Sequence, residues 1–251
     1  MSDIYAAPQA PLRSASARGE AGSLERGIAG DWDFSIGAIL REAWQKTAGA
    51  KLTINLALFV FAAIAGIVMA LTVILPQDIE APDWREQIAQ QLISALLIPP
   101  VTLGLYVIGI RRAVDAPISA GMIIGQYRRI VPLFVLQILS TILILLGFVL
   151  LILPGIYLAV GYGLSMPLVA DKGLGPWQAL EASRRAVGKH WFKVLGLGLA
   201  IAGINLLAVL TLGIGFFWTA PMSVIAYGIL YRTIFGVEPA TAGEAAASAL
   251  G

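Results

Sequence analysis

Charge avoids six stretches of this chain and collects between them with a consistent sidedness. Residues 52–75, 89–110, 130–153, 155–170, 194–212 and 215–235 are apolar, free of Asp, Glu, Lys and Arg except for Arg232 near the end of the last. A helix of about 20 such residues, rising ~1.5 Å per residue, spans the roughly 30 Å hydrocarbon core of a bilayer. Read as six alternating crossings, the runs put all but one of the 17 Lys and Arg residues on one face. The exception is Arg85, in a loop that also holds Asp78, Glu80, Asp83 and Glu86. Basic loops face the cytoplasm, so both termini are expected there. A soluble reading fails on composition: 58% of residues are hydrophobic and 13% charged, against about a quarter charged in ordinary globular domains.

The expected fold is therefore all-α: a polytopic helical membrane protein with six transmembrane helices in three hairpins over residues 31–236. The stretches 1–30 and 237–251, rich in Ala, Gly, Pro and Ser, read as disordered cytoplasmic tails. Short links at Pro154-Gly155 and Gly213-Ile214-Gly215 supply the outer turns. An amphipathic segment precedes each hairpin, and such helices are expected to lie in the membrane interface. In the first, Ile36, Ile39, Leu40, Ala43 and Trp44 oppose Arg41, Glu42, Gln45 and Lys46. In the second, after Pro117, Ile123, Tyr127 and Ile130 oppose Gln126, Arg128 and Arg129. The third opens at Pro176 and sets Trp177, Leu180, Val187 and Trp191 against Gln178, Glu181, Arg185 and Lys189. Trp44, Tyr127, Trp177 and Trp191 are the expected interfacial anchors, since aromatic rings with a polar edge favour the headgroup level.

Several chemistries find no support in the sequence. With 0 Cys there is no thiolate chemistry, and a single histidine, His190, has no second His or carboxylate at zinc-ligand spacing. Ser183 and His190 lie two helical turns apart, about 10 Å along the axis, too far for a nucleophile and its base. Glycine patterns for phosphate or dinucleotide binding are missing, and no nucleic-acid motif accompanies the basic groups. No enzymatic activity, cofactor or metal is expected. The runs also lack a central ionisable residue of the kind that marks proton or ion coupling.

Two sets of residues within the runs invite a role. Pro99, Pro100, Pro167 and Pro221 punctuate the second, fourth and sixth runs as helix kinks, and each frees a carbonyl that needs a partner from a neighbouring helix or water. Gln137 and Asn205 sit nearest mid-depth and are the candidates to line a polar cavity; interhelical hydrogen bonding is the commoner use of such side chains.

From Gly147 onward the chain carries Leu153-Pro154-Gly155, Pro167, Asp171, Gly173, Ala179-Leu180, Ser183, Gly188, an aromatic residue at 191, Gly213-Ile214-Gly215 and Pro221. This pattern resembles the YciC-like six-span bacterial membrane proteins of unknown function. It is also similar to the membrane domain that accompanies some glycerophosphodiester phosphodiesterases. The resemblance implies a helical bundle of the bacterial cytoplasmic membrane and carries no activity with it, since no phosphodiesterase domain is present.

The leading expectation is a non-enzymatic protein that binds anionic phospholipid through Arg128, Arg129, Arg184, Arg185, Lys189 and Lys193, as a scaffold or in envelope-lipid homeostasis. The alternative is a transporter or lipid-transfer conduit whose proline-bent helices surround an uncharged path. A third is an assembly factor for a partner enzyme, with the N-terminal tail as tether; the partners expected are membrane phospholipids and a membrane-protein partner or further copies of the chain in a homo-oligomer.

Overall fold

The computed structural model describes residues 22–74 and 84–243. It is 83% helical, with no strand among the described residues. Eleven α-helices follow one another: α1 (Leu24–Ala29), α2 (Ile36–Thr47), α3 (Lys51–Ile74), α4 (Trp84–Ala113), α5 (Ile130–Leu150), α6 (Ile152–Gly161), α7 (Ser165–Asp171), α8 (Pro176–Lys189), α9 (Trp191–Leu210), α10 (Phe216–Phe235) and α11 (Pro239–Ala242). Among the described residues, five stretches are long and apolar enough to cross a membrane: Lys51–Leu71, Gln87–Ala113, Ala120–Leu150, Ile152–Asp171 and Trp191–Leu210. The sixth run, α10, is not among them. Thr219, Pro221, Ser223, Tyr227, Tyr231 and Arg232 dilute its hydropathy, and it is instead the helix the rest of the molecule wraps, with ten buried residues.

Other details depart from the sequence reading for local reasons. Residues 22–30, read as part of a tail, include α1, where Ser23 accepts a capping hydrogen bond from the Arg26 N–H at 3.2 Å and Gly27 is buried against Ile234 and Phe235. The C-terminal stretch likewise contains α11; residues 1–21 and 244–251 lie outside the described residues. The second amphipathic segment is a pair of 3₁₀ turns, Ala120–Ile123 and Gly125–Arg129. Gly121 and Gly125 each cost about 1 kcal/mol in an α-helix. Pro154-Gly155 does not form the turn between α5 and α6: Leu151 alone does, and Pro154 falls in the first turn of α6, where its missing N–H is harmless. Gly155 is there for proximity, because a Cβ on it would lie 2.4 Å from the Phe148 ring. The fourth run is broken at residues 162–164 into α6 and α7, which Gly163 and Pro167 favour.

Packing repeats three times around the molecule. In sequence each unit is an amphipathic segment followed by two apolar helices: α2 with α3 and α4, the 3₁₀ turns with α5 and α6–α7, α8 with α9 and α10. In space each amphipathic segment leaves its own pair and packs on the second helix of the pair before it. The 3₁₀ turns lie on α4, α8 lies on α6 and α7, and α2 closes the ring by lying on α10. The first helix of each pair likewise meets the second helix of the preceding pair, α5 against α4, α9 against α6 and α3 against α10. At the centre α4 and α10 cross so closely that a Cβ on Gly228 would lie 2.1 Å from the Gly109 carbonyl oxygen. The core gathers there, with Ile108, Ile225, Ile229, Tyr231, Ile234 and Phe235 almost wholly buried.

Candidate functional site: a basic cleft at the α8–α9 corner

The apolar stripes of α2 and α8 are turned toward protein. Ile39, Ala43 and Thr47, four residues apart in turn, are buried on α2, and Ala179, Leu180, Ala182, Ser183, Ala186 and Val187 on α8. Helix α8 runs back along α6 and α7 in a register fixed by polar contacts. The Ser183 hydroxyl donates to the Gly161 carbonyl at 2.6 Å and accepts from the Leu164 N–H at 3.2 Å, satisfying both groups at the helix break. Gly188 then leaves room for the Tyr157 hydroxyl.

That register leaves the charged face of α8 outward and brings its C-terminus to α9 at a sharp corner. A cleft of about 640 Å³ opens there, lined by Leu153, Tyr157, Gly188, Lys189, His190, Trp191, Phe192 and Lys193. The Trp191 indole donates to the Tyr157 carbonyl at 3.3 Å and packs edge-on to Phe192, with ring centroids 5.0 Å apart. His190 Nε2 lies 3.2 Å from the Gly30 carbonyl, which can only accept, so Nε2 carries the proton. Trp32 packs against its ring. The floor is held by protein contacts, while the rim is exposed: Lys189 on one side, Phe192 at 82% and Leu153 at 76% on the other.

The six candidate headgroup cations divide into bound and unbound. Arg184 is bidentate to Glu181, at 2.9 and 2.8 Å, and Arg185 reaches the same carboxylate at 2.6 Å. Hydrogen bonding from Arg184 first, then Arg185, holds the Glu181 carboxyl down at about 2, and Glu181 in turn raises Arg184. Lys193 pairs with Asp33, whose carboxyl is lowered by that lysine and by the Phe34 N–H. Lys189, Arg128 and Arg129 have no ion pair among the described residues. Of the aromatic anchors, Trp44 and Trp177 are more than half exposed, whereas Trp191 lines the cleft and the Tyr127 hydroxyl donates to the Leu97 carbonyl at 3.1 Å.

The proline positions have an accounting of their own. Pro221 denies a partner to the carbonyl four residues earlier, and that Phe217 oxygen accepts from the Asn55 side chain of α3 at 3.0 Å. Pro167 does the same to Gly163, whose oxygen accepts from the Tyr227 hydroxyl at 3.1 Å. Helix α4 runs unbroken through Pro99 and Pro100. Beside them a cleft of about 190 Å³ is lined by Gln91, Ser94, Thr102 and Gln137 among apolar neighbours. Gln137 thus lines a cavity, and the Asn205 amide donates to Ser223 at 2.8 Å and accepts from Thr219 at 2.9 Å, clasping α9 to α10.

Sequence reasoning missed two clusters that tie the ends of the helices together. Buried Asp171 accepts from the Tyr231 hydroxyl at 2.8 Å and from the Glu238 N–H at 3.1 Å, while Lys172 bridges to Glu238 at 2.6 Å. Arg232 forks onto Glu42 at 2.9 and 3.0 Å and also donates to the Ala113 carbonyl. Arg232, the one charge within the sixth run, has its carboxylate partner 190 residues away. The fold and the cleft together define an all-helical protein with membrane-compatible helices. No family model, curated protein or solved structure matches the chain.

Proposed function

We propose that this is a non-enzymatic protein of the bacterial cytoplasmic membrane, with both termini cytoplasmic, that binds anionic phospholipid headgroups at the α8–α9 corner. One observation carries the reading: a single cleft is lined by Lys189, Lys193 and Trp191 together with the largely exposed apolar side chains of Leu153 and Phe192. This is the chemistry of a phosphodiester with its acyl chains, cations for the first and apolar surface for the second. Each basic unit lies just before an apolar helix, Arg128 and Arg129 before α5, Lys189 and Lys193 at the start of α9, Lys51 at the start of α3. Since every helical pair returns to the side it left, a cytoplasmic N-terminus implies a cytoplasmic C-terminus. The role fits a scaffold or a part in lipid homeostasis.

The test is native mass spectrometry of wild type and a Lys189→Gln, Lys193→Gln variant with phosphatidylglycerol or cardiolipin. Lys189, the lysine without an ion pair, contributes about 1 kcal/mol near an anionic surface, so its loss alone should weaken retention roughly 5-fold, and loss of Lys193, shared with Asp33, should weaken it further. Equal retention sinks the proposal. The polar cleft at Gln137 and Pro99 supports the alternative of a conduit. Lipid or solute flux in liposomes separates the two, because a binding scaffold moves nothing.

A further inference from the structure

The three hairpins cannot all cross the membrane. In a six-crossing arrangement residues 189–193, at the cytoplasmic start of α9, and residues 151–155, at the outer turn of α5–α6, belong on opposite faces, roughly 30 Å apart. Yet Leu153 lines the same cleft as Lys189 and Lys193, and Trp191 is hydrogen-bonded to Tyr157. The α9–α10 hairpin repeats the conflict. Lys51, at the cytoplasmic start of α3, lies 5.9 Å over the Trp218 ring, and Asn55 donates to Phe217, both residues immediately following the outer turn.

Helical rise turns these contacts into depths. Leu97, which accepts from Tyr127 beside Arg128 and Arg129, stands thirteen residues into α4, so α4 extends about 20 Å past that basic level, and its partner α3, 24 residues long, rises about 36 Å from Lys51. Tyr157 stands only five residues into α6, leaving about 8 Å. Phe217 stands one residue into α10, leaving about 2 Å. The turns themselves agree. No Asp, Glu, Lys or Arg occurs within 130–170 or 194–231, whereas residues 78–86 hold five. Ile152, Leu153, Leu212 and Ile214 are exposed at 66% or more, with nothing of the described protein covering them.

We infer that only the α3–α4 hairpin reaches the far face, and that the α5–α6 and α9–α10 hairpins lie obliquely in the near leaflet with their turns among its acyl chains. Helices α5 and α9 then begin and end near the basic level. They present apolar side chains to lipid along their length, such as Val131, Val135, Ile142 and Leu145 on α5 and Leu199 and Leu206 on α9, and over most of their last turns, where Leu146, Val149, Leu207 and Leu210 are exposed too. The inference rests on the membrane reading of the proposed function but not on its headgroup site.

The chain has 0 native cysteines, so single cysteines report cleanly. Trp84→Cys, Ile152→Cys and Ile214→Cys replace exposed side chains and disturb no core packing. A membrane-impermeant maleimide should label Trp84→Cys from outside intact cells. Ile152→Cys and Ile214→Cys should react at least tenfold more slowly both there and in inverted vesicles, and nitroxides at those two positions should collide with oxygen in preference to a water-soluble nickel chelate. Labelling of either turn from outside at the Trp84→Cys rate, or from inside at the rate of an Arg128→Cys control, overturns the inference. Such labelling leaves the mass-spectrometric lipid result untouched, so the two proposals fail separately.

Discussion

Asn55 shows how one amide can support two helices. It donates to its own Lys51 carbonyl at 2.8 Å and to the Phe217 carbonyl that Pro221 orphans. Asn55→Leu keeps the size and leaves that carbonyl without a partner, at a cost of about 1–3 kcal/mol. Thermal unfolding in detergent should fall accordingly, and restoring the N–H with Pro221→Ala in the same background should recover part of the loss. Glu181 makes a second residue-scale prediction. Its folded carboxyl titrates near 2 because Arg184 and Arg185 hold it ionised, below the ordinary value of about 4.3. A depressed carboxylate stabilises above its unfolded pKa and loses that contribution as pH falls through the folded one. Hydrogen exchange of the α8 amides should therefore change little between pH 7 and 5 on account of this group, and protection should decline below about 4.5 toward 2. Glu181→Gln should abolish that decline.

At the scale of elements, the α4–α10 crossing is set by two glycines that let backbones touch. Gly228→Ala pushes a methyl into the Gly109 carbonyl, and overpacking of this kind costs about 1–3 kcal/mol, with more when only backbone stands in the way. The variant should unfold at lower temperature than Gly203→Ala, a position with nothing within 4 Å of the added methyl. How well elements could be read from the residues follows from how local their causes are. Most apolar runs became single helices with ends within a few residues, as with 215–235 and α10, because length and composition are local, whereas 155–170 broke in two. The amphipathic stripe of α8 was equally legible, but its destination was not. Periodicity says which face is apolar, and the Ser183–Gly161 register that turns that face to α6 joins residues far apart in sequence. The 3₁₀ turns before α5 failed for a local reason, since two glycines outweighed a weak stripe.

For the molecule as a whole, positive sidedness and alternating runs pointed to a helical membrane protein before any coordinates. Depth was not legible. The five runs apolar enough to span look alike in sequence, and only contacts such as Lys51 with Trp218 separate a hairpin that stands from one that leans. The basic cleft was half legible: Lys189, Lys193 and Trp191 came from the charge pattern, while Leu153 and Tyr157 came from α6, whose path no pattern predicts. The closure of the ring has a further consequence for biogenesis. Helix α2 leaves the ribosome before α10, on which it is seated, and its Glu42 waits another 190 residues for Arg232. Until then the amphipathic helix is held only by partial contacts, such as Arg112 of α4 on its Lys46 carbonyl, and a nascent chain stopped short of residue 216 lacks the main surface on which it docks.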